Sequence, residues 1–204
     1  MKKLITILAV IVILFVVVSL VMPSSYDVMR SVTINAPIEK IFSEVDDYSN
    51  MEHWSPWKDY DPDAQIKIEG SVGQPGYKYS WSSKVEQVGN GSLTRKVTEQ
   101  NKRIEDELFF ADFDMKSTTY WNFEQTAAGV QVNWGNKGDI DFMWRIPMSI
   151  MNMEKQMAPD FEKGLSRLKE YCETNARAAE AEAVASMDMS SDSTVTADST
   201  TVRK

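Results

Sequence analysis

Two side chains of this sequence could take part in acid, base or nucleophilic chemistry near neutral pH, and each residue type occurs once. His53 lies between Glu52 and Trp54 in a tryptophan-rich segment, which is more typical of a partly exposed packing residue than of a general acid or base. Cys172 falls on the apolar side of the last predicted helix, as a small core residue would. One cysteine and one histidine are too few for an internal disulfide or for a zinc site built on these ligands.

Carboxylates are the other groups that could act as an acid or a base. A carboxylate buried in an apolar cavity has a raised pKa, and it could serve a cyclase or dehydratase that uses neither metal nor cofactor. Strand alternation places Glu105 and Glu107 opposite the apolar face of their strand, so we expect both to point to solvent. Asp139 and Asp141 flank the point where the last predicted strand meets the final helical region, and either could have a functional role.

The charge of the chain argues against several kinds of partner. The formal net charge is −8 and no cluster of lysine and arginine occurs, which disfavours nucleic acid or an anionic lipid surface as a direct partner. Gly73, Gly76, Gly89 and Gly91 lie at predicted turns and not before a helix, so they do not form a phosphate-binding loop. We therefore expect no nucleic acid, no metal and no cofactor.

The N-terminal segment is the most apolar part of the chain. Leu4 to Met22 carries no charge, and as a helix its length would be close to the hydrocarbon thickness of a membrane, about 30 Å. It is longer than the apolar region of a secretory signal peptide and leads directly into Pro23, so we interpret it as an uncleaved signal anchor. Lys2 and Lys3 place the N-terminus in the cytoplasm and the domain on the extracytoplasmic side, in the periplasm. A cleaved signal peptide is the alternative, and it also exports the domain.

The remainder of the chain divides into a linker, one domain and a tail. Residues 1–23 are the predicted anchor, residues 24–26 a short linker, and residues 27–174 a single domain of ordinary size. Residues 175–204 are rich in alanine, glutamate, serine, threonine and aspartate, and their valines are too scattered to form an apolar face. This composition predicts a disordered tail, whose start could extend the preceding helix.

Apolar periodicity within the domain predicts an α+β fold. Alternation predicts a strand over Asp27–Asn35, Pro37 then begins a short helix, and a longer helix is predicted over Pro159–Glu173. An antiparallel sheet with this last helix across its concave face would leave a cavity between them. Six further strands are predicted over residues 65–69, 76–83, 92–99, 103–110, 117–125 and 130–137.

Aromatic side chains are expected to line that cavity. Alternation places three aromatic residues on one face of the second of these six strands, two on one face of the fifth and one on the apolar face of the sixth. Such a face is either a densely filled core or the wall of an apolar pocket. Together with loop and helix aromatics, the candidate ligand-binding residues are Trp54, Trp57, Tyr77, Tyr79, Trp81, Trp121, Phe123, Trp134, Trp144 and Phe161.

A methionine-rich segment, Met143 to Met157, connects the last strand to the final helix and contains Trp144 and Pro147. Methionine adapts to irregular shapes, so the segment could form a lid over a loosely specified hydrophobic ligand. A short amphipathic element packed into the core, or one that rests on the membrane near the anchor, would have the same composition.

Several local sequences, in this order, resemble one superfamily. The domain is similar to the START-like, helix-grip superfamily, also called SRPBCC, and within it to the polyketide cyclase/dehydrase type. The resemblance spans residues 27–173 and rests on Val32–Phe42, His53–Trp57, Gly73–Trp81, Gly129–Trp134 and Asp160–Lys169.

The resemblance implies a curved antiparallel sheet of six to seven strands wrapped around a long C-terminal helix, here preceded by one transmembrane helix. Members of the superfamily bind sterols, phospholipids, quinone-like molecules, plant hormones or polyketide intermediates in a cavity under that helix, and only some are enzymes. None of the matching sequences is a catalytic signature, and fold alone does not establish function.

Three functional hypotheses remain. The first is a membrane-anchored domain that binds a small hydrophobic ligand, such as a lipid, a quinone or a polyketide-like molecule, under the C-terminal helix. The second is a cofactor-free cyclase or dehydratase that uses a cavity carboxylate or tyrosine. The third is an envelope scaffold or sensing domain whose pocket is filled by its own side chains. The absence of a catalytic signature favours a binding domain over an enzyme, and neither the ligand nor the oligomeric state follows from the sequence.

Overall fold

The structure is a computed structural model that describes residues 2–195. These residues form a seven-stranded sheet, an N-terminal apolar helix and further helices around one face of the sheet. The helices are α1 (Lys2–Val21), α2 (Ile38–Asp46), α3 (Met51–Trp54), α4 (Arg145–Met151) and α5 (Met153–Val195). The strands are β1 (Ser25–Ile34), β2 (Gln65–Glu69), β3 (Lys78–Ser82), β4 (Asn90–Glu99), β5 (Arg103–Phe110), β6 (Met115–Thr126) and β7 (Gly129–Asp139).

The sheet is antiparallel throughout and has the strand order β1-β7-β6-β5-β4-β3-β2. The long helix α5 lies across β1 and β7, and α2 and α3 pack beside it. The α+β helix-grip arrangement predicted from the sequence is therefore confirmed. The core lies between the concave face of the sheet and these helices, where apolar side chains such as Ile34, Ile41 and Leu168 are fully buried.

The sequence pattern placed the start of the C-terminal helix at Pro159, but α5 begins earlier, at Met153. Asn152 separates it from α4 in a left-handed conformation with φ of 54°, and its side chain accepts a hydrogen bond from the backbone N–H of Lys155 over 3.2 Å. This side-chain cap satisfies a backbone N–H of the first turn, so the helix starts at Met153 and not at Pro159. α5 then continues into the segment predicted to be a disordered tail, of which residues 196–204 lie outside the described part of the chain. Disorder of the tail stays a prediction.

Cys172 lies on the buried face of α5, as the helical spacing predicted, and is 4% exposed. Burial, with smaller contributions from Glu44 and Glu173, raises the pKa of its thiol to about 12. The thiolate is therefore scarce at physiological pH, so the only cysteine of the chain is unreactive while the domain is folded.

A line of buried polar side chains crosses the middle of the concave face. The strand register places Arg95, Asp106, Thr119 and Asn136 opposite one another on β4, β5, β6 and β7, so all four point to the same face. Arg95 Nε donates a hydrogen bond to Asp106 Oδ1 over 2.7 Å, and Asn136 Nδ2 donates to Thr119 Oγ1 over 3.0 Å. Asp46, at the end of α2, accepts a hydrogen bond from Arg95 Nη1. These five residues form the polar belt.

Arg95 connects this belt to the helices. Its side chain is fully buried, and its Nη2 also donates to the backbone carbonyl of Asp46 over 3.1 Å. Tyr48, in the turn after α2, donates from its hydroxyl to Asp106 Oδ1 over 2.7 Å. Burial raises the pKa of the Asp106 carboxyl, against the opposing effects of Arg95 and Tyr48. The buried charges thus hold the end of α2 and the following turn against the sheet.

The most apolar 18 residues of the N-terminal helix α1 have a mean hydropathy of 3.4, and only 6% of this stretch is buried. Its length and composition would allow it to cross a membrane, and a signal sequence has the same properties. Its last turns contact the domain: the Phe15 and Phe142 rings meet edge to face at 6.2 Å, and Arg145 Nη1 donates to the Ser19 carbonyl over 3.3 Å.

Arg95→Ala should destabilise the domain by about 3–5 kcal/mol, because it leaves the Asp46 and Asp106 carboxylates buried without a counter-charge. The free energy of unfolding would be measured by chemical denaturation of the full chain in detergent. Lys96→Ala is the matched control, since Lys96 is the exposed neighbour and its ion pair with Glu107, at 3.5 Å, should contribute less than about 1 kcal/mol. Equal losses for the two variants would contradict a stabilising role of the belt.

Candidate functional site

The polar belt divides the concave face of the sheet into two halves. On one side, under α5, lie the aromatic side chains of β6 and β7. On the other side, the register places apolar residues of β2, β3, β4, β5 and β6 opposite one another in two rows. The two halves differ in how completely the rest of the described chain covers them.

The half under α5 is filled by stacked aromatic rings. Trp134 lies at its centre, with the Trp121 ring stacked at 4.5 Å and the Phe161 ring of α5 at 4.4 Å between centroids. Trp54 and Trp57 meet Trp134 edge to face at 5.6 and 5.5 Å. These distances are those of direct ring contact. These five residues form the aromatic cluster, which occupies the space where the sequence predicted a cavity.

Close packing in this cluster depends on Gly164 of α5. A Cβ atom at this position would lie 2.7 Å from the Trp134 ring, so only glycine lets the helix approach the ring this closely. The indole Nε1 of Trp134 is buried and has no hydrogen-bond partner among the described residues. The ring is therefore held by packing alone.

Two shallow concavities of the described residues lie outside the cluster. One, of about 250 Å³, is on the convex face around Lys116 and Lys137, and the other, of about 170 Å³, lies between β1 and α5 around Arg30 and Ser166. The first is lined largely by charged or polar side chains, and both are open to solvent. Neither has the apolar, enclosed character of a site for a hydrophobic molecule.

The half beyond the polar belt is apolar but incompletely covered. One row contains Ile68, Tyr79, Leu93 and Leu108, and the next contains Ile66, Trp81, Phe110 and Met115. These eight residues form the open apolar end. Their exposed fractions include 47% for Ile66, 39% for Ile68, and 36% each for Phe110 and Met115.

Gly91 shapes the floor of the open apolar end. A Cβ atom here would lie 2.4 Å from the Trp81 ring, so the absence of a side chain lets the indole lie across β4. Trp81 thereby reaches Phe110 on β5, edge to face at 6.0 Å, and its Nε1 donates to the Val88 carbonyl over 3.1 Å. The result is a fixed aromatic surface with an open side.

The ten predicted ligand-binding residues therefore do not form one pocket. The predicted residues of the loop after α2, of β6, β7 and α5 lie in or beside the aromatic cluster. Phe123 lies beside it and contacts the ring of Phe42 at 5.2 Å. Tyr77 lies at the end of the polar belt and stacks on Tyr48 at 4.5 Å. Tyr79 and Trp81 belong to the open apolar end, on the face that alternation predicted. Trp144 lies apart from all of them and is 59% exposed.

The predicted acid–base candidates are in different surroundings. His53 stacks on Tyr171 at 4.3 Å and its Nδ1 lies 3.0 Å from Glu44, which agrees with a packing role. Glu105 and Glu107 lie on the outer face, as expected, where each forms an ion pair with a lysine. Asp139 and Asp141 are exposed.

Sequence reasoning did not single out Asp106, the carboxylate that is 2% exposed. Its position between Ile104 and Leu108 on the apolar face of β5 was the available signal, and its partner Arg95 could not be assigned without the register. Asp106 Oδ1 accepts hydrogen bonds from both Arg95 and Tyr48, so this oxygen is engaged within the protein. The geometry is that of a buried ion pair at the border of the open apolar end.

Trp134→Ala should destabilise the domain by about 3–5 kcal/mol, because it removes the central ring of a filled cluster. Trp134→Phe is the matched control and should cost clearly less, since it keeps one ring in the stack and removes the unpaired N–H. Chemical denaturation of the full chain measures both. An Ala variant as stable as the parent would mean that these rings line a ligand space and do not fill the core.

Comparison with known proteins identifies the family. Residues 26–173 match the family described as "Polyketide cyclase / dehydrase and lipid transport". No curated protein sequence matches the chain significantly.

Solved structures share the fold at low sequence identity. Protein SA2116 from Staphylococcus aureus, of unknown function, is 11% identical with a TM-score of 0.57, over 75% of this chain and 96% of its own. Protein CV1439 from Chromobacterium violaceum is 15% identical with a TM-score of 0.52, over 74% and 99%. The di-domain ARO/CYC BexL, from the BE-7585A biosynthetic pathway, is 13% identical with a TM-score of 0.55, over 74% of this chain and 50% of its own.

These structures support the fold, and the sequence match over residues 26–173 establishes the relationship. The chain belongs to the polyketide cyclase/dehydrase and lipid transport family, within the SRPBCC superfamily.

Proposed function

We propose that the protein is a membrane-tethered domain that binds a small hydrophobic molecule at the open apolar end of its sheet. The observation that carries this proposal is the pair of apolar rows that stay exposed beside a fully packed core. Contiguous exposed apolar surface of this kind is characteristic of interaction sites. A flat or elongated apolar molecule, such as a lipid chain or a quinone ring, fits a surface built from Tyr79, Trp81 and Phe110.

The position of the open apolar end relative to α1 supports this proposal. Ile140, which follows β7, donates from its backbone N–H to the carbonyl of Ser24, shortly after α1. Met115 at the start of β6 and Phe110 at the end of β5 lie at this same end of the strands. The proposed site thus lies at the same end of the strands as the point where the anchor leads into β1, although it extends toward the opposite edge strand β2. A tethered domain meets a membrane-dissolved ligand at high effective concentration.

The family description, which includes lipid transport, agrees with this function. BexL, the di-domain ARO/CYC of a biosynthetic pathway, shares the fold, and a cyclase or dehydratase stays the alternative. A cyclase of the predicted kind needs a carboxylate that can reach its substrate, whereas Asp106 is paired with Arg95 and Tyr48. The filled aromatic cluster favours a second candidate, an envelope scaffold without ligand. The ligand test below separates it from the binding domain.

We further propose that residues 1–23 stay attached as a signal anchor and that residues 27–174 form the binding domain outside the cytoplasm. The uncharged length of α1 and the two lysines that precede its apolar stretch support this topology. The proposed partners are the small hydrophobic ligand and, through α1, the membrane.

The full chain, purified from its native membrane and extracted with organic solvent, should release a hydrophobic molecule that is enriched over the bulk membrane lipids. Phe110→Ser should reduce the recovered amount about tenfold, because loss of an aromatic contact worth about 1.4 kcal/mol changes affinity by that factor. Mass spectrometry of the extracts measures both.

Met29→Ser is the matched control for this comparison. Met29 is also an exposed apolar residue, at 45%, but it lies on the convex face, so its loss should leave the extract unchanged. A parent protein that carries no enriched molecule would contradict ligand binding and favour the scaffold. Equal losses for both variants would place the ligand outside the open apolar end.

Ala128→Cys, in the exposed turn between β6 and β7, should react with a membrane-impermeant maleimide in intact cells from which any outer membrane barrier has been removed. The parent chain is the internal control, because Cys172 is buried and its thiol pKa is raised to about 12. Labelling of Ala128→Cys only after cell lysis would place the domain in the cytoplasm and overturn the proposed topology.

A further inference from the structure

The segment between β7 and α5 exposes four large apolar side chains. A 3-10 turn over Phe142–Trp144 leads into α4, whose Met148 is the buried residue facing the domain. The exposed residues are Met143 at 65%, Trp144 at 59%, Ile150 at 79% and Met151 at 56%. These four residues form the apolar tip. Within the described part of the chain nothing covers them, although burying them would be favourable.

Contacts with α1 fix where this tip lies. Phe142 packs edge to face on Phe15, and Arg145 Nη1 donates to the carbonyl of Ser19 in the last turn of α1. Phe15 precedes the end of α1 at Val21 by six residues, which corresponds to about 9 Å along a helix. If α1 spans a membrane up to Val21, Phe142 lies about 9 Å inside the outer boundary of the hydrocarbon layer and Arg145, beside Ser19, lies close to that boundary. The apolar tip, which adjoins both residues, then lies in the outer part of the bilayer.

The polar groups at this junction fit the same location. Ser19 Oγ and Arg145 Nε are buried and have no hydrogen-bond partner among the described residues. Arg145 as a whole is only partly buried, and at the depth of lipid headgroups the exposed part of its side chain would meet water and phosphodiester oxygens. Trp144 and Arg145 are also residue types that favour the interface, where an amphipathic ring and a long cationic side chain reach the headgroups.

Charge decides what kind of membrane surface the tip would meet. The exposed Asp139 and Asp141 precede the tip in sequence. The hairpin between β5 and β6 adds Asp112 and Asp114 at the same end of the strands. These carboxylates oppose an anionic surface, so insertion must depend on apolar burial and not on electrostatic attraction.

We propose that the apolar tip inserts into the interfacial layer of the leaflet in which α1 ends and that it fixes the orientation of the domain on the membrane. This inference rests on the membrane anchoring proposed above. Insertion at a second point beside α1 leaves the domain with one preferred orientation, whereas a single helix would let it rotate freely. The partner is a bilayer surface of zwitterionic lipid.

Fluorescence quenching in vesicles tests this proposal with the full chain. Ile150→Cys and Met143→Cys would be labelled with an environment-sensitive fluorophore, while Cys172 stays unlabelled because it is buried. The chains would be reconstituted into phosphatidylcholine vesicles with or without quencher lipid, which carries its doxyl group near the headgroup for the probes at positions 143, 150 and 128 and near the end of the acyl chain for the probe at position 14. Leu14→Cys in α1 reports on the anchor. Ala128→Cys, in the turn at the opposite end of the strands, is the negative control.

We expect quenching of the probes at positions 150 and 143 to less than about half of their intensity, because an inserted side chain lies at the depth of the doxyl group. The probe at position 128 should keep its intensity. Quenching at position 14 without quenching at 150 and 143 would overturn the apolar tip proposal and leave the anchor intact. Absence of quenching at position 14 would overturn the anchor, and with it this inference.

Discussion

The buried ion pairs of Arg95 are the constraint on which the rest of the structure depends. A fully buried guanidinium must be paired, and its partners Asp46 and Asp106 come from the end of α2 and from β5. These bonds bring α2 and the following turn onto the sheet, and α3 with Trp54 follows directly along the chain. The polar belt also prevents apolar contact across the middle of the concave face, so it divides that face into a filled half and an open half.

Because one half is filled by its own side chains, the surface available to a ligand is the open half. In the helix-grip arrangement a ligand is expected under the C-terminal helix, but here Trp134 occupies that space with rings on both sides and Gly164 lets α5 close over it. The apolar surface that stays exposed is on the other side of the belt, around Trp81 and Phe110. This surface and the apolar tip lie at the same end of the strands, the end at which α1 leads into β1. The proposed anchor, membrane contact and ligand site would therefore share one end of the domain.

Much of the fold follows from the sequence, because strand alternation and helical spacing record which side chains are buried. Alternation assigned Tyr79, Trp81 and Trp134 to the concave face, but it could not tell whether the rings contact each other or line a space. That distinction depends on distances between elements far apart in sequence. The pairing of Arg95 with Asp106 was hidden for a related reason, since an irregularity in the register between Arg95 and Val97 changes the alternation of β4. Trp144 follows the last strand, where no periodicity predicted its position.

Binding at the open apolar end is tested most directly by asking which tryptophan a bound apolar molecule touches. The full chain would be prepared with fluorotryptophan, its six fluorine resonances assigned with single Trp→Phe variants, and a doxyl-labelled stearate added below its micelle concentration. Binding at the open apolar end should broaden the Trp81 resonance, while those of Trp121 and Trp134 keep their line widths. Broadening of Trp121 and Trp134 would place the molecule under α5, and an unchanged Trp81 would contradict binding at the open apolar end.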